Sequence, residues 1–170
     1  MTAAEKRRKP GKPDRAQRRG AARLAVVQAL YQMDIGGTDL PTTLSQFEAH
    51  RLGAVIDDVQ MPDADEAFFR DILEGVVSDQ RRIDRAVNET LEASWPLVRI
   101  DSTLRATLRA GGFELYNRAD VPARVVINEY VEVAKAFFSG EEVGIVNGVL
   151  DALARRARPD ELPAGQDPAG

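Results

Sequence analysis

The chain is predicted to fold as an all-α bundle of six or seven helices, on three observations. Between residues 15 and 157 almost every apolar pattern repeats at three and four, and no segment sustains two-residue alternation. Glycine and proline then punctuate that pattern at intervals suited to short loops. At 170 residues, with 44% hydrophobic and 29% charged side chains, one globular domain is expected over 15–157. A basic arm at 1–14 and a Pro/Gly-rich tail at 158–170 flank it. Both are expected to be disordered, because neither can bury enough apolar surface to offset the entropy of ordering.

The first helix is expected from about Arg15 to Ile35, where Gly36-Gly37 ends it. A second, weaker one follows Pro41, with Leu44, Phe47, Arg51 and Val55 on one stripe. The third is expected to start at Asp63, with Glu66 three positions on as a capping-box partner. Its seam is Phe69, Ile72, Leu73 and Val76, and the pattern resumes from Asp79 through Ile83, Val87 and Leu91. Ser94-Trp95-Pro96 breaks it, since proline disfavours helix for the residue before it.

Asp101 caps the next helix, which buries Leu104, Leu108, Phe113 and Leu115. Gly111-Gly112 inside it costs about 1 kcal/mol per residue in propensity, so close packing or a kink must compensate. Asp120-Val121-Pro122 opens the following helix, with Val126, Tyr130, Val133, Ala134 and Phe137 as its core face. Ser139-Gly140-Glu141-Glu142 reads as a capping box for the last helix, whose seam is Val143, Val146, Leu150 and Leu153. Asn147-Gly148 interrupts that seam, which suggests close helix approach at Gly148. The helix frays at Arg155-Arg156, before Pro159.

Charge is distributed unevenly. Residues 1–23 hold nine of the 23 Lys and Arg but only two of the 27 Asp and Glu, a net of +7 that leaves −11 for residues 24–170. A basic arm on an acidic body is the electrostatic footprint of a phosphate-seeking protein. Arg15, Arg19 and Arg23, four apart, form one stripe on the first helix, on the side of Val27, Leu30 and Tyr31. The helix N-terminus adds backbone donors for phosphate.

Other chemistries find little support. The absence of cysteine excludes disulfides, thiolate metal sites and thiol nucleophiles. A single histidine, His50, rules out a multi-histidine metal centre, and no Walker loop, Gly-x-Ser-x-Gly elbow or GxGxxG is present. Neither a catalytic role nor a cofactor is expected. The apolar run after Arg23 is broken by Gln28 and Gln32, unlike a signal peptide, and no stretch approaches the roughly 20 apolar residues of a membrane span. A soluble, cytoplasmic protein is expected.

Several blocks resemble the NusB family of bacterial transcription antitermination factors. Arg19-Gly-Ala-Ala-Arg23 followed by Val27-Gln28-Ala29-Leu30-Tyr31 is similar to the family's opening motif, and Phe69 to Val76 to its third-helix block. The C-terminal stretch is the most specific: Asp120-Val121-Pro122, Ile127-Asn128-Glu129, Glu132-Val133-Ala134-Lys135 and Val146-Asn147-Gly148-Val149-Leu150-Asp151. Together these cover roughly residues 18–157. Gly20 departs from the pattern where another arginine is often found, and Ala110-Gly111-Gly112 replaces larger apolar residues.

The resemblance implies two packed helical halves and an RNA-binding adapter, not an enzyme. Its partners would be the ribosomal protein NusE, the single-stranded boxA element of ribosomal RNA leaders, and the RNA polymerase antitermination complex with other Nus factors. Candidate RNA-binding residues are Arg15, Arg18, Arg19, Arg23, Gln28, Tyr31, Lys135 and Phe137. Lys135, the one lysine after Lys12, enters through the family's Glu-x-Ala-Lys motif and also stands within reach of Glu132. Tyr31 and Phe137 are the candidates for stacking on unpaired bases. The acidic remainder would offer a face to a basic ribosomal protein. The competing class is a protein-interaction module whose basic arm binds acidic partners without reading RNA.

Overall fold

The computed structural model describes residues 13–50, 55–56, 59–60, 64–91 and 100–162. Most of the basic arm, residues 163–170, Arg51, Asp63 and the Ser94-Trp95-Pro96 break lie outside them. Among the described residues six helices carry the fold: α1 (Arg15–Gly36), α2 (Leu40–His50), α3 (Glu66–Thr90), α4 (Ser102–Asn117), α5 (Ala123–Phe137) and α6 (Glu141–Ala157). A two-residue hairpin, β1 (Val55–Ile56) against β2 (Val59–Gln60), pairs Val55 with Gln60 and Ile56 with Val59. Val55 therefore leaves the second helical stripe, and α2 ends earlier than its apolar spacing implied.

Capping explains most of the boundaries. The Asp14 carboxylate accepts from the Gln17 amide at 2.8 Å, and the Gln17 side chain accepts from the Asp14 amide at 2.9 Å, a capping box that starts α1. Gly37 at φ 65° ends that helix in the left-handed conformation. Helix α3 is capped by Asp65, whose carboxylate accepts from Phe68, so its cap lies two residues after the expected Asp63. It runs through both expected seams as one helix and bends at Asp79, where φ and ψ are −113° and 17°. The Ser139 capping box does not form: Gly140, at φ 102°, is the N-cap of α6 and no side chain caps it.

Helix α4 is the centre of the packing, set against α1, α3, α5 and α6 at once. A helix enclosed on all sides needs small residues, and Ala106, Ala110, Gly111 and Gly112 supply them. A Cβ on Gly111 would stand 2.9 Å from both Leu150 methyls and 3.3 Å from the Tyr130 ring; one on Gly112 would meet Ile83 at 3.2 Å. The glycine pair thus admits α3, α5 and α6 to α4. Gly111→Ala should gain helix propensity yet destabilise by about 1–3 kcal/mol through overpacking. A urea midpoint equal to or above wild type would show that Leu150 can yield.

Asn147 and Gly148 do not mediate packing: both are exposed, and nothing lies within 4 Å of a Cβ at Gly148. The packed body also continues beyond Ala157. Arg158 and Leu162, placed in the tail by composition, are 9% and 3% exposed. No described helix is long and apolar enough to cross a membrane.

Candidate nucleic-acid interface

Contacts at both ends and in the middle place helix α1 along α5 in the same direction. A Cβ on Gly20 would sit 3.4 Å from the Glu129 carboxylate, which is itself 3.6 Å from Arg23. Farther along, Tyr31 and Phe137 line one cleft. The result is a groove with two different ends. At the first, Arg15 and Arg19 of α1 face Asp120, Pro122 and Val125 across a cavity of about 540 Å³. At the second, Gln28, Tyr31 and Ile35 of α1 meet Phe47, Thr103 and Phe137 around about 530 Å³. From Arg19 to Tyr31 the helix rises about 18 Å, at roughly 1.5 Å per residue.

The cationic end is organised around a phenyl ring. The Arg19 guanidinium lies 4.5 Å from the centroid of buried Phe68, and that of Arg118 lies 5.0 Å from it. Arg118 donates to both carboxylate oxygens of Asp120 at 2.9 Å and to Asp71 at 2.9 Å. Arg19 is 3.8 Å from Asp65 and 3.9 Å from Asp120. Burial, and then the charges of Arg15 and Arg118, lower the Arg19 pKa from its ordinary value. The hydrogen bond from Arg118 holds Asp120 below the usual carboxylate range, and the same bond raises Arg118. Arg15 stands exposed beside them, without an ion pair to any described residue. Half-buried Arg18 ties α1 to α3, its carbonyl accepting from the Asp65 amide at 3.0 Å.

Arg23 lines the same cavity from its floor. It is 2% exposed and makes a paired contact with fully buried Glu114, Nε to Oε2 at 2.9 Å and Nη2 to Oε1 at 3.0 Å. The expected stripe therefore holds for Arg15 and Arg19 and turns inward one turn later, so that Arg23 is tied into the core by Glu114. Arg118 was missed because it sits in the α4–α5 loop, outside any periodic pattern.

At the aromatic end, Tyr31 is 43% and Phe137 41% exposed. Phe137, expected on the core face of α5, lies on its rim, and exposed Gln28 lines the same cleft. Lys135 stands apart from this cleft. Two residues before Phe137, it points about 200° away around the helix and bonds Glu132 at 3.0 Å. Among the described residues no group of three or more His, Cys, Asp or Glu is placed to hold a metal ion.

Residues 20–155 match the family described as the NusB family. The "Transcription antitermination protein NusB" of Rhodopseudomonas palustris (strain BisB18) is 54% identical over 151 residues, covering 89% of each chain. A solved structure of T. maritima NusB superposes with a TM-score of 0.69 at 29% identity, over 84% of this chain and 94% of that one. The fold also matches, at 20% identity and a TM-score of 0.62, a chain from the antitermination factors NusB and NusE in complex with dsRNA; 81% of this chain and 96% of that one are covered.

Proposed function

The chain belongs to the NusB family, and we propose that it is a transcription antitermination factor, an RNA-binding adapter that holds single-stranded boxA RNA in the α1–α5 groove together with ribosomal protein NusE. The observation that carries this reading is the groove itself, cationic at one end and aromatic at the other. Phosphates fit the first end, where Arg15 pairs with no described residue and Arg19 and Arg118 share the Asp120 carboxylate. Unpaired bases fit the second, where Tyr31 and Phe137 present half-exposed rings and Gln28 offers both a donor and an acceptor. Lys135 would act from the outer face of α5, on a different stretch of backbone. The acidic remainder gives a basic ribosomal protein an opposite charge to dock against, and the assembly then joins the antitermination complex on RNA polymerase.

The test is fluorescence anisotropy with a boxA-like single-stranded RNA and a scrambled control, with and without NusE. Binding should favour the boxA-like RNA, tighten with NusE and fall with a log–log salt slope near −3 if about four phosphates are neutralised. Tyr31→Ala should weaken it by about 1–3 kcal/mol, roughly tenfold, and Arg15→Ala should flatten the slope by about 0.7. Both side chains are exposed, so neither variant should shift the melting temperature by more than a degree or two. Unchanged affinity in Tyr31→Ala would remove the bases from this cleft, and equal binding to both RNAs would leave only general phosphate affinity.

A further inference from the structure

Past the bend of α3 lies a second arginine cluster that the groove does not use. Arg81, Arg82 and Arg85 are exposed on the solvent side of the helix, with Arg81 and Arg85 four apart on one stripe. Arg82 is held in place: it pairs with Asp79 at 2.8 Å, donates to Asn117 at 3.3 Å, and lies 5.3 Å from the Tyr116 ring centroid. Arg81 and Arg85 make no ion pair with any described residue, nor are they buried, so the fold has no evident need of them. The three line a shallow depression of about 650 Å³ together with Ser78 and Gln80. In a body whose residues 24–170 carry a net −11, this is a local reversal of sign.

The cluster is also connected to the groove. Asn117, which accepts from Arg82, immediately precedes Arg118, whose guanidinium stands with Arg19 on Phe68. The C-terminal end of α4 therefore leads from the cationic end of the groove to the α3 arginines. We infer that Arg81, Arg82 and Arg85 form a second phosphate-binding track for the RNA that flanks the element held between α1 and α5. An acidic protein is the poorer fit, since protein interfaces centre on large apolar anchors and Val77 is the one apolar side chain lining this depression. The inference rests on the RNA-binding reading of the groove.

The test compares a minimal boxA-like RNA with the same RNA carrying about ten extra nucleotides, placed on either side in separate probes. The wild-type chain should bind one of the extended probes about tenfold more tightly, with a salt slope steeper by about 1.4 for two added phosphates. Arg81→Ala with Arg85→Ala should abolish that gain and leave both minimal-RNA affinity and melting temperature unchanged. The track is overturned if neither extension helps, if the double variant keeps the gain, or if it loses affinity for minimal and extended probes alike. Failure of the wild-type chain to bind the minimal RNA would instead overturn the groove, and the track with it.

Discussion

Glu114→Ala should lower stability by about 3–5 kcal/mol, the expected cost of stripping one partner from a buried ion pair. Its carboxylate is fully buried and receives two hydrogen bonds from Arg23, a guanidinium that is itself 2% exposed. Glu129, 3.6 Å from Arg23, is partly solvated and cannot replace a carboxylate that engages two nitrogens at 2.9 and 3.0 Å. The Phe68 and Tyr130 ring centroids lie 4.9 and 6.0 Å from the guanidinium and shield it from water. The pair itself is expected to be replaceable. Arg23→Met with Glu114→Leu should recover most of the loss, because two apolar side chains carry no desolvation cost. Urea unfolding measures both variants. A loss below about 1 kcal/mol in Glu114→Ala would mean that water reaches the guanidinium. The contrast with Arg15→Ala separates two kinds of arginine on one helix: removing Arg15 should change RNA binding and not stability, while unpairing Arg23 should change stability first.

That distinction marks where the sequence was legible and where it was not. Helices α1, α4 and α5 follow directly from apolar spacing, from Asp101 and Pro122 at their starts, and from Gly37 at the end of α1. These signals are local and act within a turn or two of the residues that carry them. Arg23 looked like a continuation of Arg15 and Arg19 because helical spacing says which residues share a side, not how deep that side runs. Its partner is 91 residues away, so nothing near Arg23 announces the pairing. The hairpin at Val55–Ile56 ended α2 although Val55 stood in helical register, since a short apolar run satisfies either period. Ser139-x-x-Glu142 had the composition of a capping box, but Gly140 takes the cap position with a backbone that only glycine readily adopts. In the groove, Tyr31 and Phe137 were readable as candidates because aromatics are few; that they line one cleft depends on α1 and α5 running side by side, which no single segment encodes.

Arg158→Ala should cost about 3 kcal/mol or more, and its cause lies in a segment that composition assigns to the tail. The guanidinium donates to four backbone carbonyls: Leu115 and Glu114 at 2.9 Å each, Arg118 at 2.7 Å, and Val121. It also reaches Glu161 at 3.2 Å. Helix α4 ends at Asn117, so Leu115 lies in the last turn and its carbonyl lacks an ordinary helical partner, while Glu114 already accepts from the Arg118 amide at 2.9 Å. A cation at that end also meets the negative pole of the helix dipole. Alanine would strand the Leu115 and Val121 oxygens at roughly 1–3 kcal/mol each, partly relieved by entering water, while Glu114 and Arg118 keep their amide donors. Lysine should restore only part of the loss, because one ammonium cannot span carbonyls that a planar guanidinium reaches from three nitrogens. The same contacts fix the Arg118–Val121 loop, which carries the Arg118 and Asp120 side chains that set the charge around Arg19. Arg158→Ala should therefore weaken RNA binding as well as stability, and a chain cut after Ala157 should behave like the point variant. Thermal unfolding and anisotropy on the two variants decide it: full stability in the truncated chain would show that the last turn of α4 finds its donors elsewhere.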